Sequence, residues 1–214
     1  MASESTFMNI EDAVKLFKQN KFLIVMDDSD RENEGDLICA AAGVTTEQLA
    51  FLVRHSSGYV CAPMSNEIAD RLDLPLLRTS MKFESNADDR HGTAYTITVD
   101  VAEGTTTGIS AHDRALTCSK LASPSSKPTD FLKPGHICPL RAAEGGVLTR
   151  RGHTEAGVDL CKLSGLPPVS VICELVNDSD GSMMRLEDCK QFGSKYNIPL
   201  ISIEDLVQHL ERKN

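Results

Sequence analysis

Residues Asp27 to Leu37 read DDSDRENEGDL, and six of these eleven side chains are carboxylates. They follow the apolar run Phe22-Leu23-Ile24-Val25-Met26 and precede Leu37-Ile38-Cys39-Ala40. A strand, a loop and a second strand would therefore deliver Asp27, Asp28, Asp30, Glu32, Glu34 and Asp36 to one small region. Like charges confined in this way repel; a divalent cation held by hard oxygen ligands, or a polar substrate gripped by Arg31, would offset the repulsion. Acidic runs more commonly form solvated turns. Here both flanks read as buried, and Gly35 is expected where the backbone needs freedom to turn tightly. A helix-loop-helix calcium loop counted from Asp30 fails, because its twelfth position is Ala41 and both flanks read as strand.

A second chemical stretch is LTRRGHTEAGVDL, Leu148 to Leu160. Arginines, a glycine and a threonine at the start of a helix suit an anion, because free backbone amides and the helix dipole both favour phosphate there. Arg150 can add a bidentate grip. Basic residues before a helix are as often plain surface charge, but His153 lies in the middle of this one. Imidazole, carboxylate and water together suit Mg²⁺ or Mn²⁺ if Glu32 is the partner, and a phosphosugar fits such a layout.

Two further residues stand out. His136 follows Pro134-Gly135 at the mouth of a short strand expected over His136 to Leu140; its titration near neutrality makes it a candidate acid or base, against the commoner structural role of a lone histidine. Glu174 lies inside the apolar run VSVICELV, where an acid must be paired, coordinated or protonated unless it faces water from an edge strand. No phosphate-binding P-loop, dinucleotide fingerprint or G-x-S-x-G elbow is present. The chemistry falls to carboxylates, histidines and a metal.

The elements that must position these groups alternate along the chain. Asn9 caps a helix with Ile10, Ala13, Val14 and Phe17 on one face; strands are expected over Phe22 to Met26 and on to about Ala42, and Thr45 with Gln48 forms a capping box for the next helix. Gly58 to Met64 reads as strand, and Ser65 starts a short helix that stops before Pro75. The polar loop Ser80 to His91 is a candidate lid over the substrate. Tyr95, Ile97, Val99 and Val101 alternate with polar residues, the period of a half-buried strand. Ser110 with Asp113 caps a helix to about Ala122, and SPSSKPTDFLKPGH reads as a long mobile connection. A helix ending at Gly165, a strand over Val169 to Val176, the turn NDSDG, a helix, a strand near Leu200 and a last helix from Ser202 follow. This pattern predicts an α/β fold, a single three-layer domain over residues 1–214 with a mixed, twisted sheet and helices on both faces.

Composition bounds the partners. The 214-residue chain is 41% hydrophobic and 25% charged, with a net charge of -9. That charge argues against nucleic acid as the main partner, and no apolar run is long enough to span a membrane. Seven cysteines, with no C-x-x-C pair, read as reduced core residues. With no basic, apolar leader at the N-terminus, the expected location is the cytosol.

Taken together, DDSDRENEGDL, RHGTAYTITVD, GISAHDRALT, PGHICPLRA, GGVLTRRGHTEAGVDLCKLSG and CELVNDSDGSMMR resemble 3,4-dihydroxy-2-butanone 4-phosphate synthase, a riboflavin-pathway enzyme, from about Asn9 to Leu210. The resemblance is to its stand-alone form, without a fused GTP cyclohydrolase II. It implies conversion of D-ribulose 5-phosphate to L-3,4-dihydroxy-2-butanone 4-phosphate and formate with Mg²⁺ (or Mn²⁺), one or two ions, and no organic cofactor. Carried over by motif, Glu32 and His153 would bind metal; Arg150 and Thr154 would hold phosphate; Arg31 and Asp36 would contact substrate hydroxyls or the metal ligands themselves. Asp30, His136 and Glu174 would move protons, and Cys61 would lie beside the substrate. A homodimer with sites at the subunit interface is implied, with His112 reaching the neighbour's substrate. Arg151 departs from the family, where many relatives carry a second glycine. A different phosphosugar lyase or isomerase, and a non-catalytic cation-binding module, remain the alternatives.

Overall fold

The computed structural model describes residues 6–78 and 91–213. Seven strands form one mixed sheet: β1 (Leu23–Met26), β2 (Gly35–Ala40), β3 (Cys61–Met64), β4 (Val99–Val101), β5 (Phe131–Arg141), β6 (Ser170–Glu174) and β7 (Leu200–Ser202). Their spatial order is β4-β5-β3-β6-β2-β1-β7. β2 runs antiparallel to both β1 and β6, whereas β3 is parallel to β5 and β1 to β7.

Period-two alternation sorts the strand side chains between two cores. Ile24, Met26, Leu37, Cys39, Val171 and Cys173 join one core; Leu23, Val25, Ile38, Ala40 and Ile172 join the other. Helices cover both. The first core is closed by α2 (Thr46–His55), α3 (Asn66–Arg71), α4 (Ala111–Ala122) and α6 (Leu186–Tyr196), through residues such as Leu49, Leu121 and Phe192. The second is closed by α1 (Ile10–Lys18), α5 (His153–Leu163) and α7 (Ile203–Glu211), through Phe17, Leu160 and Leu206. The three-layer α/β architecture expected from the alternating pattern is the one observed, because sheet faces this apolar must each bury against a helix layer.

Local capping chemistry sets several boundaries. Asn9 accepts from the Glu11 amide, the Thr45–Gln48 capping box is complete, and Ser65 and Ser110 cap α3 and α4. Each satisfies amides that the first helical turn cannot.

Four expectations need correction or fall outside the described residues. Gly35 does not make the turn: it is the buried first residue of β2, and a Cβ there would collide with Cys189 Sγ and come within 2.9 Å of Met26 Sδ. The left-handed residue is Asn33, at φ 56°. Over Tyr95 to Val101 only Val99–Val101 is strand, and the expected faces do not hold. Thr96 and Asp100 are buried while Tyr95 is exposed, because Thr96 bonds the Pro139 carbonyl and Asp100 serves His136. The Ser- and Pro-rich connection ends sooner than expected: β5 begins at Phe131, so His136 lies mid-strand instead of at its mouth. Apart from His91, the candidate lid lies outside the described residues.

Candidate active site

The β1–β2 loop is shaped by one buried acid. Asp27 accepts the amide of Glu34 on Oδ1 (2.8 Å) and, on Oδ2, the amide of Glu32 (3.1 Å) and Nη1 of Arg31 (2.9 Å). Its oxygens are spent on the loop, which turns Glu32 inward. From the far side Arg185, at the start of α6, donates to the carbonyls of Glu32 and Asn33, each at 2.6 Å. Arg151 bridges the loop to α7, with Glu204 at 2.5 Å and Asp28 at 3.8 Å. An arginine at this position thus has a structural use here.

The sheet register brings the other acids alongside. Asp36 and Glu174 are direct partners across β2 and β6, so their side chains share a face, the one that α5 covers. α5 packs unusually close: at Gly157 a Cβ would collide with Ser170 Oγ and lie 3.5 Å from Ile172. That close approach lowers the helix start onto the ends of the interior strands β2 and β6. His153, its first residue, lies 3.7 Å from Glu32 and 3.6 Å from Asp36, measured from Nδ1. Two residues remote in sequence are thereby neighbours.

These groups line a pocket of about 80 Å³ with Arg31, Glu34, Cys61, Thr93, Tyr95, Arg150, Thr154 and Glu174, room for an ion and a few waters. A far larger cavity, about 780 Å³, lies elsewhere, lined by Phe22, Phe51, Tyr196 and Pro199 among others. Its lining carries no convergent acids; those gather at the small pocket.

Burial and charge set the protonation states. Asp36 is fully buried, and loss of solvation pushes its carboxyl up to about 7. Glu32 is held down to about 2, chiefly by its hydrogen bond with His153 and further by Arg31. For His153 burial opposes the charge, but Asp36, Glu32 and Asp27 outweigh it and raise the imidazole to about 9. Burial raises Glu34 as well. Three acids around one imidazole is a site short of positive charge.

A divalent cation fits that deficit. Asp36 Oδ1 is buried and has no hydrogen-bond partner among the described residues, an orphan acceptor that a native fold rarely leaves. Asp27, Glu32 and His153 offer ligand atoms within 4.8 Å of one another. Because Asp27 is committed to the loop, Glu32 and His153, with Asp36 behind them, are the better donors. Carboxylate oxygens with one imidazole suit Mg²⁺ or Mn²⁺.

At the same helix start, α5 has no side-chain cap on Gly152, which leaves its first amides to an anion. Thr154 is buried in that turn. Arg150 is braced by Glu155 (2.6 Å), Thr93 (3.0 Å) and the His91 carbonyl (3.0 Å). Glu174 accepts from the Ser57 hydroxyl at 2.7 Å, and Cys61 pairs in register with Cys138 on β5.

Of the residues singled out in the sequence, Arg31, Glu32, Asp36, Cys61, Arg150, His153, Thr154 and Glu174 meet in this pocket. Asp30, His112 and His136 are not among its lining residues. Asp30 is exposed at the tip of the loop. His112 lies at the start of α4 beside Thr46 (3.4 Å), and His136 is bound to Asp100 at 2.6 Å. Asp27 as organiser, Thr93 and Tyr95 were not anticipated, and Glu34 was named only as one of the six loop acids. The alternating spacing of Glu32, Glu34 and Asp36 could have flagged Glu34; Thr93 and Tyr95 carry no local signal.

Comparison with known proteins identifies the family. The 3,4-dihydroxy-2-butanone 4-phosphate synthase family model matches residues 11–209. The synthase of Saccharomyces cerevisiae is 76% identical over 96% of this chain and 100% of its own length, and that of Candida albicans 61% identical over 96% and 98%. A crystal structure of a synthase in complex with two magnesium ions superposes with a TM-score of 0.91 at 49% identity, covering 96% of this chain and 98% of the other.

Proposed function

The chain belongs to the 3,4-dihydroxy-2-butanone 4-phosphate synthase family, lyases that convert D-ribulose 5-phosphate to L-3,4-dihydroxy-2-butanone 4-phosphate and formate in riboflavin biosynthesis, and from that membership we propose how its residues divide the work. The observation that carries the proposal is the 3.7 Å approach of Glu32 to His153 beside an uncapped helix start. Glu32 and His153 would hold Mg²⁺ or Mn²⁺, one ion or two, and the cation would supply positive charge to polarise the C2 carbonyl of the substrate. The presence of two magnesium ions in a related structure supports a divalent site.

The chain's own groups do the rest. The α5 amides with Thr154 take the phosphate, and Arg150, held by Glu155 and Thr93, presents its charge to it. Asp36, raised to about 7 by burial, exchanges a proton near neutrality and faces substrate hydroxyls. Glu174 is held by Ser57 with its carboxylate in the pocket, where it serves removal of the C3 proton or return of a proton to the departing C1 hydroxyl. Several proton transfers separate enolisation, the skeletal shift and loss of C4, which gives use to more than one acid. Arg31 keeps Glu32 oriented through their 2.5 Å contact, and Cys61 contributes a wall beside the substrate. The exposed Asp30 would act only on substrate reaching the loop tip.

His136 and His112, outside this chain's own pocket, would serve that of a second copy in a homodimer. Ile109, next in sequence to the Gly108 that abuts the His136 ring, is exposed, as are Leu132 and Tyr59, apolar side chains suited to such a contact. One sheet drawing strands from both halves of the chain supports a single domain. Among the described residues no helix is long and apolar enough to cross a membrane; seven unpaired thiols support a cytosolic location. The test is formate release from D-ribulose 5-phosphate with Mg²⁺. Isomerisation without formate would favour a different phosphosugar enzyme, and binding without turnover would favour a cation-binding module.

A further inference from the structure

We infer that Asp100 is a positioning residue that fixes the orientation and tautomer of His136; the inference rests on the reading of His136 as a proton-transfer group. Asp100 grips the histidine twice, accepting its backbone amide on Oδ1 at 2.8 Å and ring Nδ1 on Oδ2 at 2.6 Å. An ionised carboxylate only accepts, so Nδ1 carries the proton and Nε2 keeps its lone pair. The exposure is asymmetric: the Asp100 side chain is 9% exposed and that of His136 41%. The carboxylate is thus held inside the fold while the imidazole is presented outward.

The backbone is bent to make the pair. Between β4 and β5 the register jumps, with Val99 opposite Ile137 but Asp100 opposite Leu132, so residues 133–136 arch out of the ladder. Thr98 Oγ1 accepts the Gly135 amide at 3.1 Å and closes the arch. Gly108, at φ +92°, lies over the contact: a Cβ there would strike Asp100 Oδ2 and meet His136 Nδ1 at 2.5 Å. Asp113 pins that loop through the amides of Thr106 and Gly108. Sheet pairing alone does not require a bulge, a left-handed glycine and a buried acid converging on one ring. Orienting an imidazole for proton transfer does.

The test begins with the tautomer. In protein labelled with ¹⁵N-histidine, the His136 resonances are assigned by their loss in His136→Gln. The neutral ring should carry its proton on Nδ1; a proton on Nε2 with Nδ1 bare would overturn the inference in the wild-type enzyme, however any variant folds. Asp100→Asn presents an amide N–H to Nδ1 and moves the ring proton to Nε2. It should lower kcat about 10²-fold, the scale of a general acid or base, with KM little changed. In a His136→Gln background it should cost nothing more, since the two act as one unit. Independent, multiplying losses would overturn the inference, as would normal kcat in Asp100→Asn beside an impaired His136→Gln. Normal turnover in His136→Gln would instead remove the proton role of His136 itself, and the role of Asp100 in the reaction with it.

Discussion

His153 Nε2 donates to the carbonyl oxygen of Val25 at 3.0 Å. A carbonyl can only accept, so Nε2 carries a proton in every ionisation state, and Nδ1 is the nitrogen turned toward Glu32 and Asp36. Backbone-oriented imidazoles of this kind are common behind metal ligands. Replacing His153 with Asn should weaken Mg²⁺ binding by at least about 10²-fold, the upper range for losses around a metal site. Calorimetric titration with Mg²⁺ checks this, and unchanged affinity would remove His153 from the ligand set.

The proton on Nδ1 competes with any cation. Since the surrounding acids raise His153 to about 9, the ring is charged at neutral pH in the metal-free protein and must lose a proton to ligate. Mg²⁺ affinity should therefore rise with pH by about tenfold per unit, levelling off above about 9. At pH 8, where Asp36 is already largely ionised, heats of binding compared in two buffers of different ionisation enthalpy should show release of close to one proton per ion. Proton uptake, or affinity falling with pH, would contradict the assignment.

Arg185 holds the Glu32 loop through two carbonyls without entering the pocket lining. Arg185→Ala should raise the Mg²⁺ concentration for half-maximal activity about tenfold, as the loss of an outer support of a ligand does, and should leave the melting transition cooperative. Arg185→Lys, with one donor group in place of a fork, should recover part of the loss.

Gly35 abuts Cys189 and Met26. Gly35→Ala should destabilise the fold by about 1–3 kcal/mol, the cost of overpacking a filled core, read from denaturant midpoints. Adding Cys189→Ala vacates the collision and should return part of that loss, a coupling expected only between touching residues. Additive losses would show that the collision is relieved elsewhere.

Glu174→Gln preserves the shape of the side chain and its contact with Ser57 but removes its capacity to exchange a proton. kcat should fall by about 10²–10⁴-fold while Mg²⁺ affinity changes little. Normal turnover would reassign the proton step to another acid of the pocket.

Much of this protein is written in neighbouring residues. Asn9, Thr45 with Gln48, Ser65 and Ser110 announce helix starts because a cap is a contact across three positions. The unbroken apolar runs Leu23–Met26 and Leu37–Ala40 announce strands buried on both faces, because each successive side chain must find a core. The acidic run and the RRGHTE segment are likewise visible as candidate ion and anion sites. Contacts between distant segments are not visible in this way. Gly35 looked like a turn residue because its real constraint, Cys189, is far along the chain. Thr96 and Asp100 looked solvent-facing because their acceptor and donor lie on β5. Asp27 could not be told from the five other acids of its loop until folding buried it against the Glu32 and Glu34 amides. The sequence by itself determined which residues could bind a cation and a phosphate. Only the tertiary structure decided that Glu32 meets His153, because that meeting depends on how closely α5 settles onto β6, and that distance is set by packing at Gly157.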